Sequence, residues 1–451
     1  MPRNRTINAF ALLALAVTAL VAAPAPAQVN NNNNNGGPII NPVASVAGVY
    51  LDTTGRVSAR QVDETRELEQ MRARARNAAA VAKDEKLCYV SLPRLLAEVR
   101  AAAEAGTPLT DAQRYLGGMT QLRYVLVYPD DHDLVIAGPA EPIDATNPLG
   151  AVGKRSGRPV LQLDDLVVAM RQAEQARGGR GAAFGCSIDP APDAFQKSND
   201  VMRQHANSSR QVRMDAMAAA IGPQRVTFFN APTDTRLAFV CVAADYKMKR
   251  LVLGLDPSPV LGVASPIDNS RAAGNRFWFE THYEPLLVSA DGAAFELRGP
   301  RLKLQAGAFS FDAKGATPRS AAFAKAVTDK LPALAAAIPL FADLQNVADL
   351  SMLATLIRAD GLDRKAGWDR AWLLDARGGH KVATVPVPQT ADTLVSFRNG
   401  SIAAGGVSLN IAPAVDKSAR VTDDKDALAV PRQQLVKLRT ERSAAAIVTA
   451  P

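Results

Sequence analysis

A chain of 451 residues with 47% hydrophobic side chains can bury a sizeable core, which sets aside both a disordered tail and a small disulfide-stapled module. The net charge of +8 is modest for this length, and the basic residues are scattered among acids with no aromatic–basic alternation, so specific nucleic-acid recognition is not expected. Aromatics at 5% argue against a broad carbohydrate platform of stacked rings.

The chain opens with Arg3 and Arg5, an apolar run over residues 9–23, and small residues at Ala25 and Ala27. This is the layout of a cleavable secretory signal peptide over residues 1–27, with cleavage between Ala27 and Gln28. The apolar run is shorter than the roughly 20 residues of a spanning helix, so no stable membrane span is expected after cleavage. Loss of Arg3 and Arg5 lowers the net charge from +8 to +6. The expected destination is periplasmic or extracellular. Asparagines at 30–35 followed by Gly36 and Gly37 read as part of a flexible spacer over residues 28–45.

Residues 46–260 read as an α+β domain. Residues 49–51 and 56–57 flank a hairpin turn ending at Gly55. A charged helix follows over 60–86. Ser91 caps a helix that stops at Gly106, and Thr110 with Gln113 forms a capping box opening a second helix. Residues 122–128 and 134–137 form a hairpin. Asp164 and Asp165 open a helix, and a strand follows around Cys186. Residues 225–229 and 237–242 read as the arms of a further hairpin, running into a helix from Asp245. Residues 261–415 read as a second α+β region. It comprises a β meander over 276–304, a helix pair over 318–337 and 340–359, strands over 382–387 and 393–397, and a C-terminal hairpin turning at Asn399 and Gly400. Residues 416–451 read as a mobile tail. Antiparallel hairpins alternating with helix pairs, in two subdomains, make the fold class α+β.

Few local patterns carry chemistry. No His-Glu-x-x-His, Cys-x-x-Cys, Gly-x-Ser-x-Gly or phosphate-loop signature occurs. No cofactor and no metal is expected. Asp130, Asp131, His132 and Asp133 would suit a metal, but a hairpin turn calls for the same polar residues. Asp164 and Asp165 would suit acid–base work, but adjacent helical residues do not face one another, and acids favour helix N-termini for their own sake. The three cysteines, Cys88, Cys186 and Cys241, are an odd number. Cys186 and Cys241 on neighbouring strands could pair; the alternative is that all three are small buried side chains.

The remaining catalytic candidates are Cys186, Asp189 and Asp245. Lys247, Lys249 and Arg250 are candidates for binding a small anion, while Asp245 and Lys249 at i, i+4 equally suit a helix-stabilising pair. These residues leave three readings: a non-enzymatic binding or cell-envelope module, a hydrolase or transferase of unrecognised type, and an anion receptor. A partner would be another envelope protein or a small anion.

Several stretches together carry a resemblance: Tyr-Val-Leu-Val-Tyr-Pro at 124–129, Gly-Arg-Pro-Val-Leu-Gln-Leu-Asp-Asp-Leu at 157–166, and Cys-Ser-Ile-Asp-Pro at 186–190. Ala-Asp-Tyr-Lys-Met-Lys-Arg-Leu at 244–251, Arg-Phe-Trp-Phe at 276–279, and Phe-Ala-Asp-Leu-Gln-Asn at 341–346 continue it. From about residue 48 to 360 the chain resembles an uncharacterised family of exported proteins, defined by a domain of unknown function and typical of planctomycete bacteria. The resemblance implies export and one extended unit; it supplies no catalytic residue.

Overall fold

The computed structural model describes residues 44–46, 49–51, 56–59, 64–83, 86–146, 150–176, 183–268, 274–308, 315–396, 398–441 and 445–449. The stretch read as a signal peptide with its Ala27–Gln28 junction, and the stretch read as a spacer up to residue 43, lie outside them. In chain order come β1 (Ala44–Val46), β2 (Val49–Leu51), β3 (Arg56–Ala59), α1 (Glu64–Lys83), β4 (Lys86–Ser91), α2 (Leu92–Ala105) and α3 (Asp111–Arg114). Next are β5 (Tyr124–Tyr128), β6 (Asp133–Ala140), β7 (Ile143–Asp144), β8 (Val152–Gly153), α4 (Leu163–Gln175), β9 (Phe184–Asp189), α5 (Ala194–Gln204) and α6 (Arg210–Ile221). β10 (Gln224–Phe229), α7 (Arg236–Val252), β11 (Gly274–His282), β12 (Leu287–Val288), β13 (Ala294–Glu296) and β14 (Arg301–Ala308) follow. Then come α8 (Pro318–Asp329), α9 (Leu331–Ala337), α10 (Pro339–Asp360), α11 (Leu362–Lys365) and α12 (Ala371–Leu374). The chain closes with β15 (Thr390–Ala391), β16 (Ile402–Leu409), β17 (Val421–Thr422), α13 (Ala429–Glu441) and β18 (Ile447–Thr449).

The fold is α+β, built on two large mixed sheets. One has nine strands in the order β1-β2-β3-β15-β10-β9-β16-β11-β14, and the other seven in the order β17-β12-β13-β5-β6-β4-β18. Each draws strands from both sides of residue 260. The stretch read as one meander divides: β11 pairs with β14 in the larger sheet, while β12 and β13 between them join the smaller one.

Helix α10 links the two cores. Pro339 sits in its first turn, and Gly361, at φ +61°, caps its end. Its apolar residues lie on every face, the signature of a buried helix. Leu340, Phe341, Leu344 and Val347 join the core on the larger sheet; Leu350, Leu353, Leu356 and Ile357 join the core on the smaller one. A polar group on a helix so placed is costly unless it is paired. Asp349 is paired through Oδ1, which accepts from Arg301 Nε at 3.1 Å and from the Tyr283 hydroxyl at 2.9 Å. Burial pushes the Asp349 carboxyl up, and Arg301 opposes that rise.

Three expectations are corrected. Residues 237–242 are not a strand: α7 runs unbroken through them, and β10 pairs with β9 and β15 instead. Buried on nearly all sides, α7 has no polar face to reveal its period, and a short apolar run then reads equally well as a strand. Residues 382–387 form no strand; only β15 and a single bridge between Val395 and Ile402 join that stretch to the sheet. Residues 416–449, read as a mobile tail, carry β17, α13 and β18. Leu435 and Leu438 of α13 bury against the smaller sheet, and β18 pairs with β4. A few apolar anchors among charges are enough to dock a segment but too few to show a periodic face.

Candidate functional site

The N-terminus of α4 begins the site. Asp164 and Asp165 occupy its first turn, where acids complement the helix dipole. Neighbours on a helix diverge by about 100°, and the two carboxylates go separate ways. Asp165 turns inward and is 3% exposed; Asp164 turns outward to the segment after α12.

Inside, Asp165 Oδ2 accepts from Arg236 Nη1 at 2.5 Å, and Asp343 Oδ2 of α10 accepts from Arg236 Nη2 at 2.5 Å. Arg236 opens α7, set by Thr235, whose hydroxyl oxygen accepts from the Ala238 amide at 3.3 Å. With its amide oxygen turned inward, Gln162 accepts from Arg236 Nε at 2.8 Å. One buried guanidinium thus joins three helices. Burial raises the Asp165 carboxyl to about 6; Arg236 opposes the rise and Asp343 adds to it. Burial disfavours the charge on Arg236, but the two carboxylates outweigh it and hold that guanidinium protonated.

Outside, Asp164 Oδ1 lies 2.8 Å from His380 Nε2, and Oδ2 accepts from the Ala383 amide at 2.9 Å. Arg171, two turns along α4, fixes the segment that carries the imidazole. It donates to the carbonyls of Leu373 (3.1 Å), Asp375 (3.1 Å) and His380 (2.7 Å). Gly379 lets this segment approach the Trp372 carbonyl, since a Cβ there would collide with that oxygen. The Trp372 indole meets the His380 ring edge to face, with centroids 6.2 Å apart.

These groups line a cleft of about 750 Å³. Val99, Leu109, Tyr115, Val168, Trp372 and Val382 supply apolar wall; Asp164, Asp165, Arg236 and His380 converge on it. The exposed side chains of Glu104, Arg114 and Lys381 stand at its rim.

The sequence candidates lie elsewhere, where α7 packs on β9 and β16. Cys186 and Cys241 are buried free thiols, and burial pushes both well above the usual thiol range. Cys241 is helical, so the pairing of neighbouring strands considered for it does not arise. Cys88 is a third buried free thiol, on β4. Asp245 and Lys249 form an i, i+4 pair at 3.6 Å, both fully buried. Burial raises Asp245 to about 7 and lowers Lys249, which also donates to the Ile188 carbonyl. Lys247 and Arg250 share Asp256, at 2.7 Å for Lys247 Nζ and 2.7 Å for Arg250 Nη2. Against burial, those two cations hold Asp256 below the usual carboxylate range. Asp189 is half-exposed on β9 and pairs with Arg276 at 2.9 Å. So the structure gathers Cys186, Asp245 and Lys249 in one buried cluster and gives each candidate cation a protein carboxylate. None of the six lines the cleft.

In the β5–β6 turn, Asp131 and Asp133 both meet Arg439 of α13, and Asp133 also accepts from Ser91 at 2.7 Å. No cluster of three or more metal-ligating side chains occurs among the described residues.

Sequence reasoning weighed Asp164 and Asp165 but missed His380, Arg236 and Asp343. The last two carried one legible signal: a charge inside an otherwise apolar buried helix needs a partner. His380 carried none.

Among known families, residues 186–265 match the model of one described as Protein of unknown function (DUF1598). That stretch runs from Cys186 on β9 through α7, and so contains Arg236 and all six sequence candidates. No curated protein matches the chain. No solved structure matches it.

Proposed function

We propose that this chain is an exported, non-enzymatic binding module of the bacterial cell envelope, and that the cleft beside α4 holds its ligand. The observation that carries the reading is the cleft itself: about 750 Å³, walled by apolar side chains, with a few polar groups held rigidly from behind. Small-molecule sites have this size and make-up. Arg171 and Asp164 fix His380, and Arg236 fixes Asp165, so little ordering remains to oppose binding. Export rests on the N-terminal leader, and the planctomycete setting on the sequence resemblance. A cofactor has no part in the reading, nor does nucleic acid; an envelope protein is the macromolecular partner.

The hydrolase or transferase alternative, with Asp189 and Asp245, draws less support, because neither carboxylate lines the cleft. The anion-receptor alternative is weakened because Lys247 and Arg250 share Asp256 and Lys249 is buried against Asp245.

The test is a thermal-shift screen of small molecules on the mature protein and on Leu109→Trp, which fills the cleft from a half-buried wall position. Ligands are expected to stabilise the first and not the second. Ligands that stabilise both equally would overturn the cleft assignment, and specific turnover of any of them would overturn the non-enzymatic reading.

A further inference from the structure

We infer that the cleft selects an organic cation: an amine with an apolar body, its ammonium placed between Asp165 and His380. The inference rests on the cleft being the ligand site and adds the charge of the ligand.

The first ground is the balance of buried charge. Away from its rim, the cleft is lined by two carboxylates, Asp164 and Asp165, against one guanidinium, Arg236. Arg236 is already divided between two carboxylates, and Arg171 is committed to three backbone carbonyls. The floor of the cleft therefore carries surplus negative charge. The compensating cations at the mouth, Arg114 and Lys381, are exposed and hydrated, so they act weakly on a buried ligand.

The second ground is hydrogen-bond polarity. In the tautomer that donates Nε2–H to Asp164, His380 presents Nδ1 as an acceptor. Asp165 accepts from Arg236 through Oδ2, and its carboxylate, an acceptor only when ionised, lines the cleft. Both groups ask for a donor, and an ammonium is a donor with no acceptor. A carboxylate or phosphate ligand would bring acceptors to acceptors.

The third ground is the wall. Trp372 and Tyr115 line the same cleft, and indole and phenol rings attract cations through their faces. Val99, Leu109 and Val168 offer the apolar surface that a compact inorganic cation would leave unused. The raised Asp165 carboxyl fits the same picture, because a bound ammonium would supply the positive charge that site lacks.

Three probes of one shape decide it: 2-phenylethylamine, 2-phenylethanol and 3-phenylpropanoate, titrated at neutral pH by calorimetry with ligand-observed NMR. The amine is expected to bind about tenfold more tightly than the alcohol, the difference between a charge-assisted and a neutral hydrogen bond. The acid is expected to bind more weakly than either. Asp165→Asn and His380→Phe should each remove the amine's advantage. His380→Phe carries the test if Asp165→Asn fails to fold, because His380 sits at the cleft wall. The inference is overturned if the acid or the alcohol matches the amine, if the amine does not bind, or if His380→Phe keeps the full preference. Preferential binding of the acid at the same wall would leave the cleft a ligand site and reverse only the charge. Failure of all three probes also ends the charge assignment, and the library screen then decides the cleft on its own.

Discussion

Gly405 on β16 leaves the space that Asp245 on α7 fills: a Cβ at Gly405 would collide with the Asp245 carboxylate and with the Lys249 stem. Small residues along β16 let α7 lie close against the sheet, and the buried Asp245–Lys249 pair sits in that contact. Here glycine serves close approach rather than an unusual backbone angle. Gly405→Ala is therefore expected to destabilise the protein by about 1–3 kcal/mol, the range for overpacking a filled core. A urea titration checks this; an unchanged midpoint would mean that the helix can move away from the sheet.

The same pair predicts a pH dependence. Burial raises the Asp245 carboxyl from 3.8 to about 7, with Lys249, Asp189 and the Ile188 backbone as its other influences. Across that window the folded protein holds a proton that the unfolded chain releases. Its contribution to stability is complete below the unfolded value and is lost as pH rises through the folded one. Relative to Asp245→Asn, which cannot ionise there, the wild-type protein should lose stability as pH rises from about 4 to about 7. Parallel stability curves for the two proteins over this range would contradict a buried, raised carboxyl.

Buried and exposed ion pairs should separate sharply on mutation. Asp349→Ala leaves Arg301 charged and uncompensated inside the protein, at an expected cost of about 3–5 kcal/mol. Asp189→Ala breaks a half-exposed pair with Arg276 and should cost about 0–1 kcal/mol. Denaturant titrations of the two variants make the comparison. A cost at Asp189 as large as that at Asp349 would give that strand-end carboxylate a structural weight its exposure does not predict.

Thiol titration tests the cysteine assignment. Cys88, Cys186 and Cys241 are all buried and free. The folded protein is expected to show no fast-reacting thiol, and the denatured, unreduced protein all three. One thiol after denaturation would mean that two of them had paired after all.

Much of the fold was legible where local signals and tertiary demands agree. Ser91 and Gly106 bound α2 as expected, the Thr110–Gln113 capping box opens α3, and β5 pairs with β6 about their polar turn. The helix read over 340–359 is α10, within one residue at each end. Legibility ended where environment overrides period. Surrounded by protein, α7 shows neither a helical nor a strand alternation, so residues 237–242 passed for a strand. The division of the meander between sheets depends on partners more than 100 residues away, such as β5 and β16, which no local spacing encodes. The site was less legible still. Asp164 and Asp165 read as a dipole-stabilised helix start, which they are, but their partners Arg236, Asp343 and His380 come from distant segments and share no motif. The basic cluster at Lys247, Lys249 and Arg250 illustrates the converse. Its spacing suggested a cationic face, whereas folding supplies the carboxylate of Asp256 to Lys247 and Arg250 and that of Asp245 to Lys249.

Native mass spectrometry of the protein purified from its own host, beside Leu109→Trp, tests the central claim most directly. The account predicts a small non-covalent mass on the wild-type protein, lost on denaturation and absent from Leu109→Trp. A wild-type protein that carries no added mass, or an adduct that Leu109→Trp retains in full, would contradict the cleft as the site of binding.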